Sequence, residues 1–333
     1  MLRHLTLIVC MATPVVPLAS SAQEQAFTRE IQARARVFPE VGPGVAALKR
    51  DAAGHYYILA APANAVTIYG ADGHRIGLIP NAQSHGAKIV YASDLDIDAD
   101  GRLFVADRGS NTVKIFSSDG TLVATVDVAT PMSLAALSGL EFAATLLHSD
   151  HLVNLFSARG ALVRAFGEAS GSPRNPAGHA PLASGRVSGD GRGEIFFAFT
   201  ELPDPTIRRY DRFGYAAWEA SLPASEFRPP PGARQWTTVT IGNGQAPPPK
   251  PVIHALAVDP ETEEIWAAIG NELVHFDKDG NRRAAYLTAT KDGARLEAAA
   301  LLVEHDRLLI ADDPSGIFDF ALPEPRTTTP PAH

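Results

Sequence analysis

Cysteine is all but missing from this 333-residue chain, and the single one, Cys10, lies in an apolar leader. Arg3 and His4 open that leader, LTLIVCMATPVVPLA follows, and Ser20-Ser21-Ala22 supplies small residues for cleavage. The pattern predicts a secretory signal peptide over residues 1–22. A lipoprotein would need Cys10 as its first mature residue, and Val9 before it fits that poorly. The mature protein is therefore expected to be free of disulfides, exported, and resident in the periplasm or outside the cell. Long hydrophobic runs are lacking after the leader, so no membrane span is expected. A basic excess is lacking too. With Lys plus Arg at 29 against Asp plus Glu at 37 the net charge is −8, which argues against a general nucleic-acid binder. The chain has no nucleophile elbow, no phosphate loop, no cysteine-based zinc pattern and no dinucleotide fingerprint.

What the chain does have is apolar content and turns. Hydrophobic residues make up 45% and charged residues 20%, enough for a substantial core. Glycine (27) and proline (26) are plentiful, as a turn-rich chain requires. Five segments share one pattern: VTIYGADG (66–73), VKIFSSDG (113–120), VNLFSARG (153–160), IRRYDRFG (207–214) and LVHFDKDG (273–280). In each, an aromatic (Tyr69, Phe116, Phe156, Tyr210, Phe276) stands four residues before a glycine, and the glycines are 47, 40, 54 and 66 residues apart. Strand-like runs lie on both sides of each segment, such as RLFVAD upstream and TLVATVDV downstream. A period of this size with four short strands per unit is the signature of propeller blades.

The expected fold is all-β: a six-bladed β-propeller of four-stranded antiparallel blades over residues 23–323. The blades fall at about 45–80, 93–128, 133–167, 185–222, 252–289 and 296–322. The sixth lacks a fourth strand, and residues 31–41 are expected to supply it, closing the ring from the N-terminal side. Residues 324–333, EPRTTTPPAH, read as a disordered tail. Within blade 2, Asp96 opens a D-x-D-x-D-G run with Asp107 at the twelfth position, the spacing of a calcium loop. Such a loop leads into a helix, whereas RLFVAD is a strand, so a plain β-turn is expected.

The stretch DLDIDADGRLFVADRGSNTVKIFSSDGTLV (94–123) resembles an NHL repeat, the unit of a family of six-bladed propellers. The resemblance covers about Val45 to Leu322, with blade 2 the best match. It implies that ligands meet the top face, where inner strands begin and where second and third strands join. It is nearly silent about function, because propellers of this shape include interaction modules, peptide or sugar binders, lactonases and lyases.

Two long inter-blade inserts, 168–185 and 223–252, flank blade 4 and should rise over that face. The second carries Phe227, Arg228, Arg234 and Trp236 between proline runs, a candidate binding surface. Arg108 and Arg186 are candidates for an anionic ligand. Asp107, Asn111, Asp312 and Asp313 read more simply as loop caps. His254, in VIHALAVD, resembles the H-x-L-x-V stretch that gives one metal ligand in peptidylglycine amidating lyases, though no other inner strand has an equivalent histidine. His148 and His151, expected in a top loop of blade 3, and His85 and His179 between blades, complete the metal candidates. The leading expectation is a monomeric binding module for a protein, peptide or glycan, without a cofactor. The alternative is a metal-dependent lyase or lactone hydrolase.

Overall fold

The five repeated glycines explain how the chain turns. Gly73, Gly120, Gly160, Gly214 and Gly280 all have φ between +81° and +86°, a backbone region that disfavours side chains. Each donates its N–H three residues back, as Gly120 does to the Ser117 carbonyl at 2.8 Å. The turn so formed joins the third and fourth strands of a blade, and the aromatic four residues earlier is buried against the neighbouring blade. Asp51, Asp98, Asp190 and Asp259 play a matching part between first and second strands, where their carboxylates accept backbone N–H groups.

The computed structural model describes residues 29–168, 185–200, 204–223, 226–227, 253–304 and 306–323. The chain opens with β1 (Arg29–Gln32) and β2 (Ala35–Val37). Blade 1 comprises β3 (Ala47–Arg50), β4 (Tyr56–Leu59), β5 (Val66–Tyr69) and β6 (Arg75–Ile79). Blade 2 comprises β7 (Ala92–Ile97), β8 (Leu103–Asp107), β9 (Thr112–Phe116) and β10 (Leu122–Asp127). Blade 3 is β11 (Pro131–Ala136), β12 (Glu141–Leu146), β13 (His151–Ser157) and β14 (Leu162–Glu168). Blade 4 is β15 (Gly185–Gly189), β16 (Ile195–Phe199), β17 (Thr206–Tyr210) and β18 (Ala216–Ser221). Blade 5 is β19 (Ile253–Val258), β20 (Ile265–Ile269), β21 (Glu272–Phe276) and β22 (Arg282–Ala289). Blade 6 supplies β23 (Ala298–Val303), β24 (Arg307–Asp312) and β25 (Gly316–Ala321). Among the described residues the helical elements are two 3₁₀ turns, Ala82–Ser84 and Ser138–Leu140.

Within every blade the strands pair antiparallel in chain order. The inner strands β3, β7, β11, β15, β19 and β23 meet in sequence, and β23 returns to β3, so the sheets form a ring. The core is divided among six apolar clusters, each between two neighbouring blades. Second strands such as β8, β16 and β20 are buried along their whole length, which explains runs such as LFVAD and IFFAF. Outer strands alternate, and each of β6, β10, β14, β18 and β22 carries a bulge near its start. Bulges of this kind blunt an otherwise exposed sheet edge.

The ring closes as expected, by an N-terminal strand, but in two steps. Strand β2 pairs antiparallel with β25 as the fourth strand of blade 6. The strand before it, β1, instead pairs parallel with β22, adding a fifth strand to blade 5. The chain thus crosses the junction between blades 5 and 6, with Ala33 N–H on the Ala289 carbonyl (2.8 Å) and Arg34 N–H on that of Asp319 (2.7 Å). Just after β2, Phe38 sits at φ +49° and drives its ring between Tyr56 and Tyr69, at centroid separations of 5.1 and 4.9 Å.

Candidate functional site

The aspartates of the acidic run in blade 2 have separate duties. Asp98 accepts the N–H groups of Asp100 (3.0 Å) and Arg102 (2.9 Å), closing the turn between β7 and β8. Asp96 faces Lys49 of blade 1 at 2.9 Å and accepts the Ala136 N–H of blade 3 at 2.9 Å. Asp94 accepts Ser133 Oγ–H (2.6 Å) and Leu134 N–H (3.1 Å), also from blade 3. Ser133 in turn accepts Val187 N–H of blade 4 at 3.2 Å. A polar belt therefore stitches the inner strands of blades 1 to 4 around the channel, and the run is a strand, a turn and a strand.

Asp107, fully buried at the end of β8, organises the top of blade 2. Its carboxylate accepts Val90 N–H (3.0 Å), Tyr91 N–H (2.9 Å), Ser110 Oγ–H (2.6 Å) and the Lys114 ammonium (2.5 Å). Burial pushes this carboxyl up, but the bonds from Lys114, Ser110, Tyr91 and Val90 outweigh it and hold the pKa down at about 2. Asn111 accepts Thr130 N–H at 3.0 Å, Asp312 that of Glu297 at 2.6 Å, and Asp313 that of Gly44 at 3.0 Å. All four side chains act as loop caps.

The pinned loop presents an apolar shelf. Val90 and Tyr91 are 47% and 53% exposed, and Leu147, above blade 3, is 42% exposed. Gly109 lies so close beneath them that a Cβ there would fall 2.8 Å from the Tyr91 backbone nitrogen and from Val90. Arg108 stands half-buried beside that glycine, and among the described residues it has no ion-pair partner.

The channel mouth is framed by the second residues of inner strands: Ser93, Met132, Arg186, His254 and Ala299 in blades 2 to 6. In four of these strands a bulge falls at that residue, β15 being the exception. Only Arg186 and His254 of this set are ionisable, and they stand on adjacent blades. His254 is exposed at the mouth, yet the protein around it partly desolvates the ring and lowers its pKa; Glu297, just ahead of β23, opposes that and Arg186 reinforces it. Burial raises the pKa of Asp94, against the pull of Arg186 and Ser133. Burial likewise disfavours charge on Lys49, but Asp96 and Asp94 hold its pKa above the ordinary value.

Other expected site residues fall elsewhere. Phe227 is 8% exposed and packs into the core between blades 4 and 5 with Phe196, Leu222 and Phe276, so its ring offers no ligand surface. The reason is local: Glu226 beside it is anchored by Arg282, and the apolar gap between the blades takes the ring. Arg228, Arg234, Trp236 and His179 lie outside the described residues. His148 is exposed above blade 3, whereas His151 begins β13 rather than lying in the loop. His85 caps the 3₁₀ turn between blades 1 and 2. Among the described residues, no three His, Cys, Asp or Glu side chains gather at metal-ligand spacing. Sequence reasoning passed over Lys49, Asp94 and Ser133 in the channel, and Val90, Tyr91 and Leu147 on the shelf. The signal for the first group was there: DLDID places two acids at alternate positions of an inner strand where apolar residues are usual.

This architecture defines a six-bladed β-propeller with a polar channel mouth. No family model matches the chain, and no curated protein does. Among solved structures it is similar to a catalytically inactive variant of virginiamycin B lyase from Staphylococcus aureus with quinupristin. That similarity has 14% identity and a TM-score of 0.54, over 86% of this chain and 83% of the other. A streptogramin B lyase structure gives 13% identity and 0.52, over 90% and 88%. The structure of U3-55K gives 10% identity and 0.55, over 84% and 96%. Likeness at these identities shows the propeller fold alone.

Proposed function

We propose that this chain is an exported propeller of the NHL-repeat kind that holds a peptide, glycan or protein partner on its top face. The observation that carries this reading is the pinned shelf: Val90 and Tyr91 stay open to solvent on a loop that the buried Asp107 carboxylate fixes, and Leu147 is exposed in the top loop of blade 3. A rigid, exposed tyrosine with an arginine nearby gives contact area at low entropic cost, as binding hot spots do. The test is a glycan and peptide array probed with the mature protein, its Tyr91→Ser variant and its Arg108→Glu variant. Ligands of the wild type are expected to lose about tenfold or more in affinity for either variant. Hits that bind all three proteins alike would count against the top face.

A second reading, a metal-dependent lyase or lactone hydrolase, draws support from His254 at the mouth and from the lyases among the similar structures. Elemental analysis and melting curves before and after chelation separate the two. The binding reading expects no stoichiometric transition metal and an unchanged Tm. A stoichiometric metal whose removal lowers the Tm would favour the lyase.

A further inference from the structure

Arg186 stands in the channel without a hydrogen bond or ion pair among the described residues, its charge acting on Asp94. It projects from the second position of β15 and is not fully buried. Asp94 takes its hydrogen bonds from Ser133 and Leu134 and feels Arg186 through charge alone, while Asp96 is held by Lys49 and Ala136. His254 holds the matching second position of β19, the inner strand packed beside β15, and the Arg186 charge acts on its titration. The remaining members of the ring, Ser93, Met132 and Ala299, carry no charge.

A planar fork of N–H donors at a channel mouth, with no hydrogen bond among the described residues, suits an oxyanion that accepts two parallel bonds. We infer that Arg186, assisted by a ring N–H of His254, forms an oxyanion subsite that takes a carboxylate or phosphoryl group of the bound ligand. This rests on the top-face reading above and names the chemistry of one end of that ligand. Asp94 and Glu297 are the opposing groups: the first already draws on Arg186, the second acts on the same histidine from the start of blade 6, and both charges work against an incoming anion.

The experiment is an NMR titration of the mature protein at constant ionic strength. It follows the Arg186 Nε–H signal and the His254 ring signals, each assigned by substitution. Inorganic phosphate and acetate are the two probes. A saturable shift of both residues is expected with at least one probe. Saturation by phosphate assigns a phosphoryl ligand, and saturation by acetate a carboxylate. In Arg186→Gln the His254 response should vanish, whereas in Glu297→Gln binding should tighten by about threefold. No saturable shift with either probe, or a His254 response that survives Arg186→Gln, overturns the subsite. The two proposals fail separately. Array ligands held at the shelf with no anion response would remove only the subsite. An anion response with array hits insensitive to Tyr91 would leave the subsite and remove the shelf.

Discussion

Replacing Asp107 with asparagine is expected to lower the stability of the propeller by about 3–5 kcal/mol, because it strands the buried Lys114 ammonium. Several groups converge on that carboxylate. Lys114 is held at 2.5 Å, Ser110 donates, and the backbones of Val90 and Tyr91 lean on it. Asparagine keeps one acceptor oxygen but removes the negative charge, so the lysine must either shed its proton or break out of the core. Asp107→Asn/Lys114→Met should recover much of the loss, since the uncompensated charge goes while the stem volume stays. The pH dependence carries a sign of its own. The folded pKa of about 2 lies below the ordinary 3.8, so the contribution is complete above pH 4 and fades as pH falls through 2. Chemical denaturation at pH 7 and at pH 2.5 should therefore show a smaller pH difference in Asp107→Asn than in the wild type. Equal pH differences in both proteins would refute this part of the account.

The second large effect belongs to the closing strap. Phe38→Ala is expected to cost about 3–5 kcal/mol, as large buried aromatics do, and deletion of residues 29–41 should cost more. The ring of Phe38 fills the gap between blades 6 and 1 with Tyr56, Tyr69, Leu48 and Ile317. Alanine there leaves a cavity while keeping the left-handed backbone, so nothing offsets the lost packing. Deletion also frees the edge of β22 and removes the fourth strand of blade 6. Thermal melting reads both changes. Unchanged stability in the deletion would mean that the ring closes without its N-terminal segment.

The sequence revealed most where the physics is local and repeated. Gly73 and its four counterparts announce turns because their backbone conformation excludes side chains, and the aromatics four residues earlier announce buried third-strand ends. The need for a closing strand was legible from the missing fourth strand of blade 6. That β1 would leave that blade and dock on blade 5 was not, since parallel edge pairing asks for backbone rather than for a side-chain pattern. Phe227 misled for a related reason: a proline-rich stretch looks exposed, and only the width of the gap between blades 4 and 5 decides where its ring goes. Lys49, Asp94 and Ser133 come from three different blades, so their meeting in the channel is a product of ring geometry. Arg108 and Arg186 were visible as cations. That neither side chain makes a hydrogen bond or ion pair among the described residues required the structure.

Hydrogen–deuterium exchange on the protein, free and saturated with its best array ligand, tests the top-face reading most directly. Slowed exchange is expected at Val90–Tyr91, Arg108–Asn111 and Leu147–His151, with the lower turns unchanged. Protection confined to the lower turns, such as residues 98–101 or 211–214, would place the ligand on the opposite face and contradict it.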